Sequence, residues 1–384
     1  MLLTVLTACI GSNDTITEDE LPGIGALGFQ THDEALVHND VLATADDGLN
    51  TPRDLEFNPE VPGELWVVNR TDDSTTLLHN AGTDDQWSEH LIDPFALHFM
   101  EEVSSIAFGQ PGTFGTCQES RNTYNGQSSP NNFMGPSLWT SDLEVYAQSN
   151  EEAIDYLSDL FGQYVDLGSH LDMLHESPMC MGMAWSHDNV YWVYDGWNQA
   201  IARYDFADDH GAGYDDHSDG IIGKYATGEI QMRKDTPSHM ELDHETGWLY
   251  FADTGNNRVA RLDTNSGTRG SNLPSMEPGV DHYKVDDAIV ETVLDGPTEG
   301  MEAPSGLAIH DGVLYVGDRL SGTIYAYDLV SFELIDYLDT NAGKLYGIEV
   351  VSEDEIWYVD GNNDEVRRLT SRPNRAIGAY SVEE

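Results

Sequence analysis

Residues 237–263 read PSHMELDHETGWLYFADTGNNRVARLD. A short apolar run at 240–243 meets a Glu-Thr-Gly turn, a second run at 248–252 leads into Asp-Thr-Gly-Asn-Asn, and a third follows at 259–262. Short runs rich in aromatics and cut by Gly, Asn and Asp are strand–turn–strand signals, because those residues tolerate the backbone angles of tight turns. The phrase returns at 304–328 (GLAIH, GVLYVGD, GTIYAYD) and at 347–369 (GIEVV, EIWYVDGNNDEV, RRL). Weaker copies lie at 181–204 (MGMAWS, NVYWVYDGWNQAIARY) and 54–79 (DLEFNP, ELWVVNR, TTLLH).

Repetition on this scale marks an array of like units, each too thin to bury both its faces alone. Inner strands are expected near Leu55, Ile106, Met183, Met240, Leu307 and Ile348. The shortest interval, 41 residues between Leu307 and Ile348, matches a bare four-stranded unit of about 40–45 residues. The pattern therefore predicts an all-β, six-bladed β-propeller with four-stranded blades over residues 41–370. Longer intervals carry insertions: a polar loop at 121–136 in blade two, an acidic loop at 208–220 in blade three, and a long loop at 264–287 in blade four. Between blades two and three, Ile154, Leu157, Leu160 with Phe161, and Tyr164 recur at helical spacing behind Ser149/Asn150 as a cap, which predicts one amphipathic helix. No blade precedes residues 41–44, so that strand is expected to join blade six and close the ring. The run 376–382 in the tail, 371–384, is the other candidate for an outer strand there.

The chain carries 69 acidic and 17 basic residues, a formal net charge of −52. That balance excludes nucleic acid as a partner, since phosphate binding needs clustered Lys and Arg. It equally excludes electrostatic adhesion to an anionic membrane. Residues 1–10, MLLTVLTACI, are too short an apolar run to span a bilayer. Leu6-Thr7-Ala8-Cys9 resembles a bacterial lipobox, which implies cleavage after residue 8 and a lipid on Cys9 as the sole membrane link. The basic n-region of a secretory signal is missing, as a start codon placed too far downstream would leave it. Residues 10–40 then read as an acidic tether on an exported, envelope-attached or extracellular protein. The remaining cysteines, Cys117 and Cys180, leave two readings open: a disulfide, usual in exported proteins, or two buried thiols.

The second strands end on Asn69, Asp195, Asp253, Asp318 and Asp360, whose short side chains suit bonds to the backbone N–H groups of a following turn. Three positions earlier stand Trp66, Trp192, Tyr250, Tyr315 and Trp357, expected to pack between blades. More informative are the residues just before each inner strand, where a central channel opens: Arg53, Glu102, His175 with Glu176, His239, Glu302 and Tyr346. A ring of acid, base and imidazole at one mouth is a candidate ligand site. His239, His175 and Glu102 offer nitrogen and oxygen ligands to a divalent metal, zinc or calcium. Arg53 and Tyr346 are the catalytic candidates. The other reading is a water-filled channel whose polar groups satisfy one another. In the loop 208–220, Asp208, Asp209, His210, Asp215, Asp216, His217 and Asp219 form a separate calcium candidate without EF-hand spacing. No nucleotide-binding glycine motif is present, so no nucleotide cofactor is expected.

Asp-Thr-Gly-Asn-Asn-Arg-Val at 253–259 and Pro-Ser-Gly-Leu-Ala-Ile at 304–309 resemble the NHL-repeat propellers, a likeness that implies the fold. Pro237-Ser238-His239 together with Arg53 and Tyr346 is similar to the amidating lyases, six-bladed propellers that hold zinc through three His. The inserted Ser238, and the lack of His after Pro178 and Pro304, depart from that family's Pro-His pattern. Lactonase-type propellers, which hold calcium in the channel, are the other enzymatic comparison. The expected function is binding of a small ligand or a protein partner at the channel mouth or the long loops. The alternative is a metal-dependent hydrolase or lyase, lactonase-like or amidating-lyase-like, working in the central channel.

Overall fold

Each strand–turn–strand phrase folds into one blade. The computed structural model describes residues 21–123 and 130–373, and within them six sheets stand around one axis. The inner strands are Pro52–Phe57, Val103–Phe108, Cys180–His187, Met240–Asp243, Pro304–His310 and Leu345–Ser352, each packed on the next in cyclic order. All six expected centres fall within them. Near the axis these strands converge until only glycine fits. A Cβ on Gly182 would lie 1.9 Å from the Ser238 carbonyl oxygen, and one on Gly306 would lie 2.1 Å from that of Tyr346. The repeated Gly-apolar-Ala/Glu phrase thus reflects close backbone approach at the hub.

The second strands are sandwiched by the neighbouring blades, and Trp66, Trp192, Tyr250, Tyr315 and Trp357 are all buried. Asp195, Asp318 and Asp360 bond the following turn as expected, whereas Asn69 and Asp253 accept instead from the backbone of Asn50 and Gln231 at 3.0 and 2.9 Å. Asp318 Oδ1 accepts from the backbone of Leu320 and Ser321 at 2.8 and 3.0 Å, and Asp360 Oδ1 accepts from Asn362 at 2.9 Å.

An N-terminal strand closes the ring. Val37–Ala43 runs antiparallel to Glu365–Ser371, from Val37 opposite Ser371 to Ala43 opposite Val366. The closing strand begins four residues before the expected 41–44, where Val37 is already buried. The competing run 376–382 lies outside the described residues, as does Cys9. The tether expected over 10–40 is corrected from residue 21 onward. Ile24, Ala26 and Leu27 belong to an apolar segment and bury against blades five and six. The backbone N–H groups of Ile24 and Gln30 donate to Asp336 Oδ2 at 3.0 and 2.8 Å.

The helix Glu151–Phe161 is capped by Asn150, whose side chain accepts from Glu152 and Ala153, and it stops at Gly162 in the left-handed conformation. It sits ahead of Asp172–Met173, the two-residue outer strand of blade two, so the insertion falls before that blade is complete. Ala153, Ile154 and Leu157 are buried, while Leu160, Phe161 and Tyr164 stay exposed.

The loop 264–287 holds structure that its sequence did not reveal. Thr268–Asn272 and Asp281–Asp286 form a hairpin, and the second strand pairs in parallel with Ile221–Tyr225 of blade three. Blade three becomes a six-stranded sheet whose outer edge is covered by an insertion of blade four.

Cys117 and Cys180 form a disulfide with Cα atoms 5.0 Å apart, tying the second strand of blade two to the inner strand of blade three. Closing a loop with a sequence separation of 63 removes on the order of 4 kcal/mol of unfolded-chain entropy in the loop-closure account.

Candidate functional site

Inner strands begin, and second strands end, on the same face of the ring. Arg53 donates from Nε and Nη2 to Glu119 Oε1 at 3.1 and 2.7 Å, with its guanidinium 4.4 Å from the Tyr346 ring centroid. Arg70 donates to the same Glu119 oxygen, and its Nη2 lies 3.0 Å from Glu102 and 3.6 Å from Asp235. Tyr346 donates to the Asp235 carbonyl at 3.3 Å. Arg53, Glu102 and Tyr346 are therefore brought together, and the link is a shared buried carboxylate, Glu119, bridged by Arg70. Neither was singled out from the sequence. The signal was present, since Arg70 directly follows Asn69 at the end of a second strand.

His239 sits deeper. Its Nε2 lies 3.3 Å from the Ser104 carbonyl and 3.7 Å from Asp54 Oδ2, and its Nδ1 is buried without a hydrogen-bond partner. Burial, with a smaller push from Arg53, lowers its pKa to about 4, so the ring is neutral at physiological pH. His175 is held elsewhere, at the boundary of blades two and three. Its Nδ1 is 2.7 Å from Glu277, its Nε2 is 3.2 Å from His98 Nε2, and its ring stacks on Phe133. Glu302 is exposed, with its backbone N–H bonded to Asp318 and its carbonyl accepting from Arg233 at 3.1 Å.

Below the mouth lies a cavity of about 170 Å³ lined by Asp54, Glu56, Glu241, Glu349 and His239. Glu56, Glu241 and Glu349 pair across their strands with Trp66, Tyr250 and Trp357, and the equivalent places in blades three and five hold Ala184 and Ala308 opposite Trp192 and Tyr315. One layer of the channel is thus built of carboxyls and methyl groups at the same point of the repeat. This ring was missed, although Leu-Glu, Met-Glu and Ile-Glu against Met-Ala and Leu-Ala were legible in the sequence. Asp54 and Glu56 tie blade one to blade two by accepting from the backbone of Ile106 and Phe108 at 3.1 and 2.8 Å. Burial raises Asp54 to about 8, and burial together with the charge of Asp54 raises Glu349 to about 8. Glu241 is also pushed well up, first by burial and then by Glu349 and Asp54.

This sets a pH dependence. An unfolded chain ionises Glu349 near its ordinary value of 4.5, but the folded protein keeps the proton until about 8. Unfolding therefore releases a proton in that window, and stability falls as pH rises through it, by at most about 1.4 kcal/mol per unit for one group. Glu349→Gln is expected to melt higher than the wild type at about pH 8 and to differ less at about pH 5, with thermal melts at both values as the check.

A second concavity, about 400 Å³, opens over blade three between the turn at Trp197 and the inserted hairpin; Trp197, Pro178, Leu273, Met276, Lys224 and His282 are among its lining residues. The hairpin is fixed there by Glu176, whose Oε1 accepts from Ser275 Oγ at 2.7 Å and from the Met276 backbone. His282 Nδ1 lies 2.7 Å from the Pro274 carbonyl. Lys224 donates to the Glu176 carbonyl at 2.9 Å, to Ser177 at 2.6 Å and to Asp195. The Arg121 guanidinium lies 3.6 Å from the Trp197 ring centroid.

The fold and site define a class, six-bladed propellers with a polar channel mouth. No family model matches this chain, and no curated protein matches it. Among solved structures, an auxiliary nutrient binding protein from Bacteroides thetaiotaomicron aligns with a TM-score of 0.52 at 12% identity, over 84% of this chain and 69% of that one. An auxiliary nutrient binding protein from Bacteroides ovatus aligns at 0.49 and 13%, over 91% of this chain and 75% of that one. Virginiamycin B lyase from Staphylococcus aureus aligns at 0.48 and 13%, over 87% and 99%. At such identities the likeness shows shared architecture alone.

Proposed function

We propose that this protein is an exported binding propeller that takes a small, partly apolar molecule in the groove over blade three. The groove itself carries the reading. Its volume of about 400 Å³ lies within the range of small-molecule sites, as does its mixture of apolar walls and a few fixed polar groups. Lys224 is held in its wall by Asp195, whereas Lys284, 44% exposed and 2.9 Å from Asp286, is the lysine there that a ligand's anionic group can reach in a chain of net charge −52. The disulfide fits an oxidising compartment, and lipidation at Cys9 and an NHL-type repeat belong to the same reading. The solved neighbour from Bacteroides thetaiotaomicron is named as a binding protein on this fold.

A library of small carboxylates, read by thermal shift and by tryptophan fluorescence, tests it. Binders are expected to lose at least about tenfold in affinity on Trp197→Ala, roughly the loss of one buried aromatic contact. Affinity unchanged in that variant and in Lys284→Ala would move the site elsewhere. The enzymatic alternative, a metal-dependent hydrolase or lyase, is favoured by the neutral, unpartnered Nδ1 of His239 below Arg53 and Tyr346. It requires hydrolytic or lyase turnover that His239→Ala abolishes.

A further inference from the structure

The loop 208–220 folds back over the edge of blade two, and what it meets there is Asp172. That residue belongs to the shortest outer strand of the ring, Asp172–Met173, and it is completely buried. One oxygen, Oδ1, accepts from His217 Nδ1 at 2.5 Å. The other, Oδ2, is buried and has no hydrogen-bond partner. A buried carboxylate oxygen without a donor is costly, and it marks a place where something else supplies positive charge. From the loop above, His210 Nε2 lies 3.0 Å from Asp219 Oδ1. Asp172, His210 and Asp219 each offer one donor atom, and these atoms all lie within 4.8 Å of one another. Two ligands of a tetrahedral ion with bonds near 2 Å stand roughly 3.3 Å apart, so this spacing suits a shared ion.

We infer that Asp172, His210 and Asp219 bind one divalent transition-metal ion, with zinc the best match to one imidazole and two carboxylates. Calcium takes six to eight oxygen ligands and has little use for an imidazole, whereas mixed nitrogen and oxygen donors in a compact set suit zinc. His217 completes the arrangement without binding the ion. Held at Nε2 by Asp215 at 3.2 Å and at Nδ1 by Asp172, it fixes the orientation of the Asp172 carboxylate. The side chains of His210 and Asp219 keep 21% and 34% of their surface exposed, so the site is open to an ion from solvent. The ion joins a loop of blade three to an outer strand of blade two that has only two ladder pairs, Ser137 with Met173 and Leu138 with Asp172. Its role is to staple the thinnest blade. The sequence singled out the loop, but the third ligand comes from outside it.

The full chain, stripped with a chelator and dialysed, is titrated with zinc chloride alone. One zinc per chain is expected by calorimetry and by elemental analysis, with a rise in melting temperature. His210→Ala and Asp219→Ala, both partly exposed, are each expected to weaken zinc at least about 100-fold, while Asp311→Ala, an exposed carboxylate outside the site, retains it. Cobalt in place of zinc should give the visible absorption of a low-coordinate site, lost in the same variants. Zinc stoichiometry unchanged in a His210→Ala/Asp219→Ala double variant overturns the site. A folded wild type that takes up no zinc overturns it too, and calcium stabilising the protein where zinc does not overturns the ion.

Discussion

Deleting residues 1–44 is expected to lower the melting temperature by on the order of 10 °C or to prevent folding, whereas deleting residues 1–20 leaves it nearly unchanged. The closing strand is the reason. Without Val37–Ala43, the strand Glu365–Ser371 becomes an open edge, and its unpaired N–H and C=O groups face solvent or another chain. The same deletion strips Ile24, Ala26, Leu27, Val37 and Ala43 from their burial, where a large apolar side chain contributes about 1.5–3 kcal/mol. A third truncation, residues 1–36, separates the two contributions. It keeps the ladder but loses the packed segment at Ile24–Leu27, and it should fall between the others. Thermal melts of the three proteins, with size-exclusion chromatography for edge-driven association, decide the matter. Equal stability of the shortest and longest truncations would refute closure by this strand.

The second large effect belongs to Lys224. Its side chain is 4% exposed, and its ammonium is held by the fully buried Asp195, by Ser177 and by the Glu176 carbonyl. Asp195 in turn accepts from Ser177 Oγ at 3.0 Å and from Asn198 Nδ2 at 2.8 Å, and Tyr204 donates to Ser177 at 2.6 Å. Removing one member strands the other charge in a low-dielectric interior, which costs about 3–5 kcal/mol. Lys224→Ala and Asp195→Ala are each expected to lose stability of that order in urea titrations. Lys224→Met combined with Asp195→Asn removes both charges and should recover part of the loss, because an apolar or neutral pair of similar volume avoids desolvating an ion. If the double variant is no better than the worse single one, the network acts through packing and not through charge.

The sequence alone determined the ring. Aromatic runs cut by Gly, Asn and Asp are encoded within a few residues, and their return with a regular phrase located all six inner strands. The same local chemistry placed Asp318 and Asp360 on their turns and narrowed the helix cap to Ser149 or Asn150, of which Asn150 provides it. An unpaired first strand before a closed set of repeats pointed to closure.

What tertiary structure decided is where side chains from different blades meet. Arg53, Glu102 and Tyr346 stand at similar points of the repeat; Arg53 stacks on Tyr346 directly, but Glu102 joins them only because Arg70 and Glu119 reach across. His175 precedes its inner strand too, but the loop carrying it turns to Glu277. The hairpin Thr268–Asn272 and Asp281–Asp286 joins blade three through backbone hydrogen bonds, which leave no trace in side-chain pattern. Asp172 meets His210 and Asp219 for a similar reason: it lies in a two-residue strand too short for any periodic signal. Period and turn chemistry are properties of neighbours in the chain. Convergence on a common point depends on the rotation of each blade about the axis and on the path of each loop, which only the folded ring defines.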